Sequence, residues 1–531
     1  MAMLSEQYKK FLGYVIYQVY PRSFKDSNND GIGDICGVIE KLDYLKDLGV
    51  NAIWLCPCYK SPNDDNGYDI SDYRDIMDEF GTLDDVKRLI AEMHKRDMKL
   101  IMDLVPNHTS SEHEWFKQSR KSKDNPYSDY YYWFDEPQNN WTSCFCGSAW
   151  QYDEQRGQYY LHSYAVSQPD LNWENPKVVE EMQSVVDFWV DLGVDGFRCD
   201  VIDQISKDWE RNWNCFGPTL HEHIHALFGR DNVRDIFTVG ECWCGDIDEI
   251  ARHSAYERGE LSTLFQFDHL GCGCNGKFNK KPDSLKSVRD IIVKWQLLNQ
   301  QNDLLHSLFT DNHDNGRFIS RVGNDGELRY ESATCLAAMF YLLRGVPFIY
   351  QGQEFGLTNS HHDSIDEFDD IESINTYKEF CEKMPADEAL AKINFGSRDN
   401  PRRPMSWTAG KNGGFSDAEP WLPLHSRCAE INLESDLKSD KSVFRFYKKL
   451  LALRKESDVL LYGDFELLSK QEDNYFVFAR EYEGRKFIVV CNFEQESEIE
   501  LGVDGEIVLS NYGRKTLDSR FAPYEVAVIK L

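Results

Sequence analysis

Positive charge is scarce in this chain: 59 Lys and Arg stand against 90 Asp and Glu, a formal net charge of -31 over 531 residues. A phosphate backbone needs concentrated cations, so this balance argues against a nucleic-acid partner and disfavours acidic substrates. Long apolar runs are also missing. The most apolar stretch, "CLAAMFYLLRGVPFIY", is interrupted by Arg344, and the opening "MAMLSEQYKK" has no apolar core of signal-peptide length. The expectation is a cytoplasmic protein without a membrane segment. A disulfide framework is not legible either, because the 15 cysteines are odd in number and scattered, which fits free thiols in a reducing compartment. Four C-x-C pairs, Cys56/Cys58, Cys144/Cys146, Cys242/Cys244 and Cys272/Cys274, lack the ligand spacing and regular second pair of a zinc site, so buried thiols are expected.

Hydrophobic residues at 41% and charged residues at 28% describe an ordinary globular protein, and the length calls for more than one core. The 13 Trp, 27 Tyr and 31 Phe would suit a pocket that stacks on flat apolar faces. Short apolar runs bounded by turns predict eight strands, at 14–20, 52–57, 99–105, 196–201, 237–242, 263–267, 305–310 and 347–352. Amphipathic stretches such as 37–50, 82–98 and 175–194 lie between them, with apolar positions recurring at three and four. Eight strands alternating with helices predict an α/β fold, a (β/α)8 TIM barrel, whose strands are buried on both faces. A doubly wound open sheet would alternate in the same way, but no Gly-rich phosphate turn follows any of these strands.

Two segments fall outside the repeat. Residues 106–174 carry Trp, Tyr, Asn and Ser without clear periodicity, too long for a simple loop, and are expected to form an inserted lid subdomain. From 456 to 531, segments such as "DNYFVFAREYE" and "RKFIVVCNFE" alternate and predict a C-terminal antiparallel β-sandwich domain. The barrel itself would comprise 1–105 and 175–455.

Barrel chemistry sits at the C-terminal ends of strands. There the chain places "DLVPNH" (103–108), the pair Arg198 and Asp200 in "GFRCDVI" (196–202), Glu241 in "VGEC", and His313 and Asp314 in "TDNHD". Each has an ordinary explanation alone, as a turn cap, a satisfied loop histidine or a solvent-facing acid. Four strand ends converging on one mouth make that explanation improbable. Three carboxylates with an arginine and two histidines are what glycosidic-bond cleavage requires: one carboxylate attacks an oxocarbenium-like centre, and another, protonated, gives a proton to the leaving oxygen. On this reading Arg198 lowers the pKa of Asp200 and keeps it ionised.

These motifs, with "QPDLNW" (168–173) and "SPNDDNGYDISDY" (61–73), resemble the α-amylase family of glycoside hydrolases over nearly the whole chain, and within it the oligo-1,6-glucosidase and dextran-glucosidase branch. The resemblance implies a retaining enzyme in which Asp200 is the nucleophile, Glu241 the general acid/base and Asp314 the transition-state stabiliser. It implies that His108 and His313 bind glycone hydroxyls, that Tyr68 stacks under the sugar, and that Asp65 and Arg398 close the pocket, giving exo-action on a small oligosaccharide. Val201, after the nucleophile, resembles α-1,6-specific members, and a β-branched side chain there narrows the room for the leaving sugar. Trp243 is offered as a platform for that sugar, with a structural Trp at the barrel mouth as the equal alternative. After "NHD", Asn315 and Gly316 depart from the family pattern and are expected to loosen a loop. The lysines of "CGCNGKFNKK" (272–281) are expected on a solvated face, with phosphate binding as the alternative.

"DSNNDGIGD" (26–34) places oxygens as in the first part of an EF-hand loop, from Asp26, Asn28, Asp30, the Ile32 carbonyl and Asp34, with Gly37 where a bidentate glutamate would stand. Relatives in the branch resemble this loop and bind Ca2+ there, so a structural Ca2+ apart from the chemistry is expected, with an Asn/Asp/Gly turn that holds no ion as the alternative. The leading expectation is an exo-acting α-glucosidase cleaving α-1,6 bonds of isomalto-oligosaccharides. The alternatives are a trehalose-6-phosphate hydrolase, an α-1,4-glucosidase, a sucrose isomerase or transglucosidase, and, from another class, a non-catalytic sugar-binding relative. The pattern leaves any oligomeric partner open.

Overall fold

Strands buried on both faces must be apolar at successive positions, and the eight predicted runs fold that way. In the computed structural model they are β1 (Ile16–Val19), β2 (Ala52–Leu55), β3 (Lys99–Leu104), β4 (Gly196–Cys199), β5 (Phe237–Gly240), β6 (Thr263–Leu264), β7 (Ser307–Leu308) and β8 (Val346–Tyr350). The structure describes residues 6–243 and 245–531; the first five residues and Cys244, one thiol of the third C-x-C pair, lie outside the described residues. Neighbouring strands are parallel, in the order β6-β5-β4-β3-β2-β1-β8-β7, the cyclic order of a barrel. The seam between β6 and β7 is held by side chains: Ser307 Oγ donates to Leu264 O at 2.7 Å and Thr263 Oγ1 to Leu305 O at 2.8 Å. Each strand is shorter than the apolar run that predicted it.

Local signals explain the helices outside the barrel. Pro176–Leu192 starts with Asn175 accepting from Lys177 N and Pro176 at the first turn, and ends at left-handed Gly193, φ 108°. Its buried face is Val178, Met182, Val185, Val186 and Trp189, the spacing of one helical stripe against the sheet. Leu83–His94 opens with a reciprocal capping box between Thr82 and Asp85 and buries Val86, Leu89, Ile90 and Met93.

Between β3 and β4 the chain forms a short helix, Glu114–Ser119, and a three-stranded antiparallel sheet of Trp133–Phe134, Gln158–Leu161 and Trp150–Asp153. This segment, aperiodic in sequence, is ordered by aromatic contacts such as Phe116 stacked on Trp133 at 5.4 Å. Near the C-terminus, Asp464–Leu467, Tyr475–Tyr482, Arg485–Asn492, Val526–Lys530 and Glu506–Ser510 make one antiparallel sheet in that order. Period two sorts its faces: Phe476, Phe478, Val489, Cys491, Val526 and Val528 join the main core. Val477, Ile488, Val490, Ala527 and Ile529 build a second cluster on the other side with Ile499 and Phe521. Among the described residues no helix is long and apolar enough to cross a membrane.

Candidate active site

Register builds the centre of the site. β3 and β4 pair with Asp103 opposite Arg198, and β5 pairs with β4 so that Glu241 follows one step beyond Cys199 and Gly240. Asp200 N then bonds Leu104 O at 2.8 Å and Glu241 N bonds Cys199 O at 2.8 Å, which fixes both acids at the mouth. Arg198 reaches all three carboxylates: Nη1 lies 2.9 Å from Asp103 Oδ1 and 2.7 Å from Asp200 Oδ1, and Nη2 pairs with Glu241 Oε2. The expected Arg–Asp pair is therefore one guanidinium shared by three acids, and the charge logic changes with it. Burial raises Asp200 well above the usual carboxylate range, Arg198 pulls it down, and Glu241 and Asp103 push it up again. The sequence reading has Arg198 lowering Asp200; the net direction here is upward, because burial and the two neighbouring acids outweigh the guanidinium. Burial also pushes Asp103 up to about 6, against the pull of Arg198 and hydrogen bonds from Trp54 and Tyr68.

A second chain of contacts starts at Gln18, whose Nε2 lies 2.8 Å from His313 Nδ1. With that amide donating, the ring's Nε2 carries its hydrogen toward Asp314 Oδ2 at 3.1 Å and the Tyr68 hydroxyl at 2.6 Å, and Tyr68 in turn donates to Asp103 Oδ2 at 3.1 Å. Tyr68 and His313 stack with ring planes 6° apart. Burial works against an ionised Asp314, yet His313, Arg402 and Arg398 outweigh it and hold its carboxyl below the usual range. His313 is itself held well below the usual imidazole range by burial, so it meets Asp314 as a neutral ring and the two guanidiniums carry the effect.

Asp65 centres a third set of contacts: its Oδ1 accepts from Arg398 Nη2 at 3.1 Å and its Oδ2 from Gln168 Nε2 at 3.1 Å. Arg398 also grips Asp370 at 2.7 Å through Nε and at 2.6 Å through Nη2. His108 stands beside Gln168, 3.3 Å away, and burial lowers its imidazole to about 4. Beneath, Lys207 is wholly buried against Asp170 at 2.7 Å and Asn107 at 2.9 Å. That pair braces "QPDLNW" against "DLVPNH".

All the predicted catalytic and substrate residues except Arg198 line one cavity of about 300 Å3, and Arg198 lies just behind it. Val201 adopts a left-handed conformation, φ 34° and ψ 47°, which a β-branched residue rarely holds and which costs about 1–3 kcal/mol. This turns its side chain into the cavity wall. Trp243 is 60% exposed and its ring stacks on Phe267 at 4.3 Å, while its backbone N–H donates to Asp203 Oδ2 at 3.2 Å. Sequence reasoning missed Asp370, Glu372, Arg402, Phe145 and Tyr164. Arg402 was within reach, since it stands in the same "SRDNPRRP" motif as Arg398.

Three expectations need correction. Lys277 is not on a solvated face: it lines the cavity and is paired with Glu372. The loop at Asn315 and Gly316 is pinned, not loosened, by Asn315 Nδ2 to Asn312 Oδ1 at 3.0 Å and Arg317 N to Asn359 Oδ1 at 2.7 Å. Among the cysteine pairs, Cys56 and Cys58 are buried, whereas Cys144 and Cys146 are exposed on the inserted segment.

In the loop 26–34 the oxygens wind successive Asx turns. Asp26 accepts from Asn28 N, Asn29 N and Gly31 N, Asn28 Oδ1 from Asp30 N, and Asp30 Oδ1 from Ile32 N. Asp34 caps the next helix through Gly37 N at 2.7 Å. A Cβ on Gly37 would meet Lys25 O at 2.0 Å, so no glutamate fits where an EF-hand would supply one. The donors are all oxygen, and each carboxylate has lone-pair capacity beyond the bonds it accepts, which fits a hard cation. Among the described residues one group of His and Glu, His221, His253 and Glu260, gathers within reach of a common ion, and none of the C-x-C pairs belongs to it.

Residues 18–463 match the family model described as alpha amylase, catalytic domain. The chain is 46% identical to an oligo-1,6-glucosidase of Parageobacillus thermoglucosidasius, covering 97% of this chain and 98% of the relative. It is 44% identical to a glucan 1,6-alpha-glucosidase of Streptococcus pneumoniae over the same shares. The crystal structure of Bacillus licheniformis trehalose-6-phosphate hydrolase is similar to it with a TM-score of 0.91 and 39% identity, over 98% of this chain and 99% of that one.

Proposed function

This chain belongs to the α-amylase family of glycoside hydrolases, and from that premise we infer a retaining, exo-acting α-glucosidase that hydrolyses α-1,6 bonds of isomalto-oligosaccharides from the non-reducing end. The observation that carries the reading is a small cavity of about 300 Å3 lined by the three carboxylates, Asp200, Glu241 and Asp314, and by Asp65 and Arg398, which Asp370 ties into one buried ionic clamp. Read as the wall beyond the bound glucose, that clamp admits one sugar unit and stops the chain there.

Asp200 attacks the anomeric carbon while Glu241 gives its proton to the departing oxygen, leaving a glycosyl ester on Asp200. Glu241 then takes a proton from water, which attacks the same carbon and releases glucose with its configuration retained. Asp314, held ionised by Arg402 and Arg398, grips sugar hydroxyls with His313 and His108. Tyr68 offers its face to the ring. Val201 narrows the leaving-group side, and the names of the relatives agree with α-1,6 specificity.

The test is a panel of glucose release from isomaltose, panose, maltose, sucrose and trehalose-6-phosphate. A clear preference for maltose overturns the α-1,6 assignment, and isomerised product from sucrose overturns hydrolysis as the main outcome. Lys277 in the cavity wall favours trehalose-6-phosphate hydrolase as the second reading, although its ammonium already faces Glu372. Faster turnover of trehalose-6-phosphate than of isomaltose replaces the first reading with the second.

The first βα loop is read as a structural Ca2+ site, with Asp26, Asn28, Asp30, the Ile32 carbonyl and Asp34 as its oxygen donors; the ion would stiffen the loop and take no part in bond cleavage. A cytoplasmic location is supported by the cysteines, since every described one is a free thiol.

A further inference from the structure

Tryptophan is costly to leave in water, and a soluble chain that exposes several in one place has a use for them. Among the described residues three tryptophans are exposed: Trp209 at 38%, Trp213 at 52% and Trp243 at 60%. All three line a single cavity of about 810 Å3 beside the barrel mouth, and Trp243 also lines the catalytic cavity. The two hollows share that one wall.

Each ring has support around it. Trp243 rests on Phe267 at 4.3 Å, with planes 16° apart. Trp209 is stacked on Trp141 at 5.0 Å and 22°, and Trp141 Nε1 donates to Asn212 O at 3.0 Å, so the inserted segment holds the turn that carries Trp209. Trp213 starts the second strand of the hairpin Lys207–Asp208 and Trp213–Phe216, with the Arg211 guanidinium 5.5 Å from its ring centre. The Lys and Arg side chains of the cavity are each matched to an acid: Lys207 to Asp170, Arg211 to Asp208 and Arg252 to Glu249. Such a lining has no unmatched cation to anchor a phosphate. Apolar plates among paired polar groups suit a neutral ligand with flat C–H faces and many hydroxyls.

We propose that this second cavity binds the reducing-end glucose units of isomalto-oligosaccharides longer than the disaccharide, with Trp243 as the threshold and Trp209 and Trp213 as the plates beyond it. The proposal rests on the α-glucosidase reading above. The extra rotatable bond of an α-1,6 linkage lets the chain bend across Trp243 from one hollow into the next. The enzyme then gains transition-state binding from units remote from the cleaved bond.

The experiment measures kcat/KM for isomaltose, isomaltotriose and isomaltotetraose in the wild type, Trp213→Ala and Trp209→Ala. The ratio of tetraose to disaccharide does not depend on how much of a variant is folded. It should fall about fivefold or more in each variant, the loss of one aromatic contact. A ratio unchanged in both variants overturns the proposal. Fluorescence titration of Asp200→Asn with isomaltotetraose, against Asp200→Asn/Trp213→Ala, tests binding even if the wild type proves inactive on isomaltose. Equal affinity of the two proteins overturns the site, and weaker binding by the double variant supports it.

Discussion

Arg398 Nη2 lies 3.1 Å from Asp65 Oδ1, joining residues 333 positions apart in sequence in the wall of the cavity. Both side chains are buried. Arg398 is also paired with Asp370, so losing Asp65 leaves the guanidinium one partner, whereas losing Arg398 leaves two buried acids without their shared cation, the kind of loss that costs about 3–5 kcal/mol. Asp65→Ala and Arg398→Lys should therefore raise KM for isomaltose and lower kcat/KM by about two orders of magnitude. Lys fails because it cannot reproduce the forked grip on Asp370. An unaltered KM in both variants would remove the clamp.

Glu241→Gln should depend on the leaving group. A 4-nitrophenyl glucoside departs without a proton, so its glucosylation step should survive far better than that of isomaltose, and a burst of nitrophenol should precede slow turnover. Equal losses on both substrates, read by stopped-flow absorbance, speak against Glu241 as the acid.

Val201→Ala removes both the β-branch and much of the strain of its left-handed backbone. The kcat/KM ratio of maltose to isomaltose should rise at least tenfold, because the leaving sugar gains room beside Asp200. No change in the ratio separates Val201 from linkage preference.

Asp203 supplies a pH prediction. Burial raises its carboxyl to about 7, with Glu241 adding to the rise and the Trp243 backbone N–H opposing it. Its Oδ1 has no hydrogen-bond partner among the described residues. A raised acid binds its proton more tightly when folded, so its stabilising contribution is full below the unfolded value near 4 and is lost as pH rises toward about 7. Asp203→Asn, permanently neutral, should have the higher Tm at pH 8. The advantage should shrink steadily below pH 7 and vanish near pH 4; an advantage that grows on acidification reverses the sign.

For the 26–34 loop, treatment with a chelator should lower Tm by several degrees and leave the pH profile of kcat in place. Asp26→Ala should abolish that sensitivity. A Tm that ignores the chelator counts against a bound ion.

The eight strands were legible because each is a local pattern: apolar residues in succession between turns. The acids at their ends were legible for the same reason, since a charge that closes an apolar run stands out in one dimension. Asp370 and Glu372 were not, because they stand in an ordinary acidic helix start, "DDIESIN", and only folding carries them to Arg398. Asp103 had the look of a turn cap until register set it opposite Arg198.

Local patterning in the sequence therefore determined the barrel, the order of its strands and the identity of the acids at its mouth. Tertiary structure alone decided that three carboxyls share Arg198, that Val201 turns left-handed into the wall, and that Trp209 and Trp213 face the hollow next to Trp243. The reason is physical: charge state and exposure depend on what surrounds a group, and those neighbours come from strands and loops distant along the chain.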